Sequence, residues 1–64
     1  MLKITWFDTT CPPAHMMWIG TEERLFPFLR SVLLTDRGNL IPGIEDLRVN
    51  GKRTNLDKLE AGIF

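Results

Sequence analysis

The sequence predicts an α+β fold: a small, mostly antiparallel sheet, packed by one longer amphipathic helix and a short C-terminal helix. Three observations carry this expectation. Leu2 to Phe7 alternates with period two. Residues Glu22 to Thr35 carry apolar side chains at helical spacing. Asn50-Gly51 sits between two strand-like arms and is the strongest hairpin signal in the chain.

In the first element, Leu2, Ile4 and Trp6 share one face and Lys3, Thr5 and Phe7 the other, so the sheet includes this segment as a strand. Asp8-Thr9-Thr10 breaks the pattern. The stretch from Cys11 to Gly20 admits two conformations. Pro12 and Pro13 fit the first turn of a helix, with Gly20 as its stop. Alternatively His15 to Ile19 is a short strand, which we favour because so short a helix gains little by itself.

At about 100° per residue, Leu25, Phe28, Leu29, Val32 and Leu33 form one stripe, with Phe26 at its edge. Thr21 is the expected N-cap. Pro27 interrupts this helix, so the helix either kinks there or begins there. Ile41-Pro42-Gly43-Ile44 has the residues of a type II turn. Asp46 to Val49 is a strand, and Lys52-Arg53-Thr54 is its exposed, charged return arm. Together they make a 46–54 hairpin. Thr54 and Asp57 suggest a capping box for a helix over Asn55 to Ala61, with Leu56, Leu59 and Ile63 on one face.

The 64 residues make one domain, 1–64. Eight basic and eight acidic side chains cancel. That balance argues against a dedicated nucleic-acid binder, which carries a basic excess, and favours self-association, including a homodimer. A single cysteine provides no disulfide framework and points to a reducing, cytoplasmic compartment. The longest apolar run, Met16 to Ile19, is far short of a membrane span of about 20 residues.

Few residues suggest chemistry. Cys11 and His15 lie four apart. With Asp8 they have the composition of a Cys-His-Asp nucleophile, with His15 as base and Asp8 orienting it. The same Cys and His supply only half of a structural zinc site, so no metal or cofactor is expected from this chain alone. Arg48, Lys52, Arg53 and Lys58 could face phosphate, but Glu45, Asp46, Asp57 and Glu60 are interspersed among them, as on a solvated mixed-charge surface.

The order of short motifs is similar to that of glutaredoxins. Ile4 to Phe7 leads into Thr9-Thr10-Cys11-Pro12. Ile41-Pro42 and Val49-Asn50-Gly51-Lys52 follow, then Leu56-Asp57-Lys58-Leu59 and Gly62. The resemblance implies a thiol redox enzyme centred on Cys11, with a cis-proline facing the thiol. Ala14 stands where the second cysteine of the usual pair would be, and the glycine pair expected after the hairpin is absent.

The run Met16-Met17-Trp18-Ile19 carries the strongest functional expectation. Four consecutive large apolar residues cannot share one face of a strand or a helix. With Phe7, they exceed what so small a fold covers, and exposed Met and aromatic side chains mark protein-binding surfaces. Phe7, Met16, Met17 and Trp18 are therefore the expected partner-binding residues. The expected function is a small non-enzymatic module that acts as inhibitor, adaptor or regulator of a larger protein. Phage and mobile-element proteins such as anti-CRISPR-like inhibitors fit this description. A thiol redox enzyme and a nucleic-acid-contacting regulator using the basic hairpin are the alternatives.

Overall fold

A computed structural model describes all 64 residues. Four strands form one antiparallel sheet: β1 (Leu2–Asp8), β2 (Ala14–Gly20), β3 (Ile44–Val49) and β4 (Lys52–Arg53). Their spatial order is β2-β1-β3-β4. A helical segment follows β2, comprising α1 (Glu22–Phe28) and a π-helical turn (Leu29–Leu33), and a short helix α2 (Leu56–Glu60) follows β4. This is the α+β architecture expected, and the strand alternative for residues 15–19 is the one adopted.

Side-chain alternation in β1 places Leu2, Ile4 and Trp6 beneath the helices, all buried. They join Leu25, Phe28, Leu29, Leu33, Leu47, Val49 and Leu59 in one contiguous core. Trp18, Leu34, Leu40 and Ile44 pack around it, half-buried. Phe28 lies between two indoles. It stacks on Trp18 at 4.5 Å between centroids and 8° between planes, and meets Trp6 at 5.5 Å and 47°. Offset and tilted aromatic pairs of this kind add to the area they bury.

The helix departs from the regular period. Pro27 lies inside it, so the helix neither begins at the proline nor ends there. Proline has no N–H to donate and crowds the carbonyl four residues back. Beyond Phe28 the turn widens: the Leu34 N–H donates to the Leu29 carbonyl, five residues back, at 2.8 Å. In a wider turn each residue advances by less than 100°. Val32, expected mid-stripe, therefore falls behind and is 43% exposed, while Leu33 rotates into the core. Thr21 stands at the N-cap in extended conformation, but its carbonyl, not its hydroxyl, closes the turn to the Arg24 N–H.

β3 begins at Ile44 and carries a bulge. Thr5 pairs with Arg48 and Phe7 with Glu45, so Asp46 and Leu47 together oppose Trp6. Asp46 takes a φ of +52°, a conformation that Asp tolerates better than most residues. The extra residue turns Leu47 into the core and Glu45 out to solvent. Asn50 and Gly51 both have positive φ, as a type I′ turn requires.

α2 departs from expectation at both ends. The Thr54 N–H is held by the Leu47 carbonyl, so Thr54 still belongs to the hairpin, and its hydroxyl turns to the Asn55 carbonyl and does not cap. Asn55 is the cap instead, accepting from the Lys58 N–H at 2.9 Å. At the other end Gly62 turns the chain away, and Ile63 is exposed, not on the buried face with Leu59.

Gly20 faces the core side of β2 with Trp18, and the indole lies across it. A Cβ there would stand 2.6 Å from Trp18 Cη2 and closer still to Cζ2. Gly20→Ala is therefore expected to push the indole off Phe28 and destabilise the fold by about 1–3 kcal/mol. Denaturant unfolding followed by tryptophan fluorescence checks this, with a lower midpoint expected.

Candidate functional site

The helical layer covers one face of the sheet only. Register decides what remains on the other. Residues directly opposite each other in an antiparallel pair share a face. Lys3 pairs with Ile19, Thr5 with Met17 and Phe7 with His15. Thr5 pairs with Arg48 and Phe7 with Glu45 on the other side, and Arg48 pairs with Arg53. The uncovered face therefore has an apolar half over β2 and β1 and a charged half over β3 and β4.

The apolar half centres on Met17 and Ile19, which are 60% and 56% exposed. Phe7 is half-buried beside them, its ring 4.8 Å from the His15 imidazole and tilted by 51°. An open depression of about 300 Å³ is lined by Thr5, Trp6, His15, Met16, Met17 and Asp46.

The four-residue apolar run thus divides between faces. Met16 pairs with Trp6 and Trp18 with Ile4, which puts both on the helical side. Met16 is partly exposed there, while Trp18 is packed against Phe28. Ile19 was not among the expected binding residues, although strict alternation from Met17 places it on the same face.

On the charged half, Asp46 accepts a hydrogen bond from Arg48 Nε at 3.0 Å, with Arg53 Nε at 3.5 Å. The Arg48 hydrogen bond, aided by the charges of both arginines, holds the Asp46 carboxyl below its ordinary pKa. The four basic residues do not form one face. Arg48 and Arg53 share the open face, Lys52 pairs with Val49 on the opposite one, and Lys58 lies on α2.

Cys11 is exposed in the loop between β1 and β2. Asp8 turns its carboxylate to Thr10, accepting from the amide at 2.9 Å and the hydroxyl at 2.6 Å. These bonds lower the Asp8 pKa. His15 lies against Phe7. No hydrogen bond joins Cys11, His15 and Asp8, so the expected base and its orienting group are engaged elsewhere. Nor does any group of three His, Cys, Asp or Glu side chains lie together as a metal site would require. Pro42, part of the motif order that carries the glutaredoxin resemblance, sits in the turn whose Gly43 carbonyl accepts from the Thr9 amide and hydroxyl.

The chain matches no protein-family model, no curated protein and no solved structure. No helix is long and apolar enough to cross a membrane.

Asp46 has a depressed folded-state pKa, so its contribution to stability is present above the unfolded-state value of about 3.9 and is lost as pH falls through the folded-state value. Asp46→Asn should flatten the fall in thermal midpoint below about pH 4, leaving the remaining acid sensitivity to groups such as Asp8. An unchanged acid limb would contradict this. Cys11→Ser should leave the thermal midpoint unchanged, because the thiol is exposed and makes no hydrogen bond. Differential scanning calorimetry reads both.

Proposed function

We propose that this chain is a non-catalytic protein-binding module that docks on a larger protein through the uncovered face of its sheet. One observation carries the reading: Met17 and Ile19 stand side by side, each more than half exposed, on a sheet face that no part of the chain covers. Flexible thioether and branched aliphatic side chains around an aromatic ring are the composition of an interface centre. The flanking Arg48, Arg53, Asp46 and Glu45 supply a polar rim. Docking by such a face suits an inhibitor, adaptor or regulator, which acts by occupying a partner's surface.

The side chains of this face can be changed without disturbing the core. Met17→Thr and Phe7→Thr keep strand-favouring residues and remove the apolar contact. The partner is first isolated from the source cell and identified by mass spectrometry, and its affinity for each variant is then measured. Either substitution should weaken binding by about 30-fold if it removes a dominant contact of about 2 kcal/mol. Unfolding midpoints should move by far less. Full affinity in both variants would show that docking occurs elsewhere.

A further inference from the structure

β2 is an edge strand of unusual character. Natural edges carry charges, prolines, bulges or short lengths that discourage further pairing. β2 runs seven residues, Ala-His-Met-Met-Trp-Ile-Gly, in unbroken register with β1. It contains no Lys, Arg, Asp, Glu or Pro. The opposite edge, β4, is two residues long, and both are cationic.

The backbone groups on this edge can be assigned. The Lys3 carbonyl accepts from the Asn50 N–H, and the Lys3 N–H donates to the Asn50 side chain, so both Lys3 groups point toward β3. Thr9 likewise points its N–H to Gly43. Backbone direction alternates along a strand, so Leu2, Ile4, Trp6 and Asp8 point theirs toward β2. Their partners Gly20, Trp18, Met16 and Ala14 are therefore engaged. His15, Met17 and Ile19 direct their N–H and C=O groups outward, away from the sheet.

These three residues are symmetric about Met17. We propose that β2 pairs with β2 of a second copy, antiparallel and centred on Met17, to give a two-fold dimer with one continuous eight-stranded sheet. In that register Met17 faces Met17 of the second copy, and His15 faces Ile19. Each pair exchanges two N–H···O=C bonds, and every outward backbone group of the three residues is satisfied. The strand carries no acidic or permanently cationic side chain to oppose its copy, and the whole chain has no net charge. The other edge is too short and too cationic to extend the sheet, so assembly closes at two.

The dimer goes beyond the docking function and does not depend on it. Its two-fold axis is perpendicular to the sheet, so both uncovered faces lie on the same side. Phe7, Met17 and Ile19 of the two copies then form one broader apolar platform.

Sedimentation equilibrium over a dilution series, together with amide hydrogen exchange, tests the pairing on the full chain. The weight-average mass should rise from 7.4 kDa toward twice that value. The amides of His15, Met17 and Ile19 should be protected in concentrated solution and exchange quickly on dilution. Met17→Pro removes an outward N–H that the monomer does not use, so it should fold and remain monomeric. Met17→Lys sets two ammonium groups opposite each other and should weaken the dimer about tenfold or more, even if the proline variant fails to fold. A mass of 7.4 kDa at every concentration would overturn the proposal. So would a dimer in which those three amides exchange freely, or a folded Met17→Lys chain that associates as tightly as the original. Loss of partner binding in Met17→Thr with the dimer intact separates the docking face from the edge.

Discussion

The contact between Phe28 and the two indoles of Trp6 and Trp18 organises this molecule. It fixes the helical segment over β1 and β2, and the core builds outward from it. Gly20 is part of the same arrangement, because only a residue without a Cβ lets the Trp18 indole lie flat across the strand. A chain of this length forms one helical layer and one sheet layer. Once that layer is committed to one face, the other stays in water.

Both proposed features descend from that commitment. Alternation along β2 sends Met16 and Trp18 toward the helices and Met17 and Ile19 away from them. Alternation of the backbone groups sends the N–H and C=O of His15, Met17 and Ile19 to the open edge. The same residues therefore supply an apolar face and a hydrogen-bonding rim. The bulge at Asp46 performs the complementary task on β3. It rotates Leu47 into the core and keeps the Asp46, Arg48 and Arg53 cluster at the far side of the uncovered face.

Local rules made much of this fold legible in the sequence. The alternation of Leu2 to Phe7 and the positive φ demanded by Asn50-Gly51 are properties of short segments, and both hold in the structure. What escaped depends on contacts between segments. The burial of Trp18 requires Phe28 to arrive from the helix. The exposure of Val32 requires the turn after Phe28 to widen, a choice that Pro27 alone does not dictate. The cap falls to Asn55, while Thr54 stays paired with β3. At the candidate site, the excess of large apolar residues in 16–19 and their split into 16/18 and 17/19 follow from alternation, but which pair faces the helices depends on the register β2 adopts with β1. The Cys11, His15 and Asp8 grouping had the right composition. Proximity in sequence did not become proximity in hydrogen bonding, because Thr10 and Phe7 engage two of its members.

Packing is one-sided: the Phe28 stack closes one face of the sheet and leaves Met17 and Ile19 in solvent. Solvent paramagnetic relaxation of the methyl groups, measured by NMR on dilute protein, reads this exposure. A soluble paramagnetic probe should relax the Met17 and Ile19 methyls strongly. The methyls of Leu25, Leu29, Leu33 and Leu59 should be shielded, and contacts from the Phe28 ring to both indoles should be present. Equal shielding of Met17, Ile19 and the core leucines would contradict it.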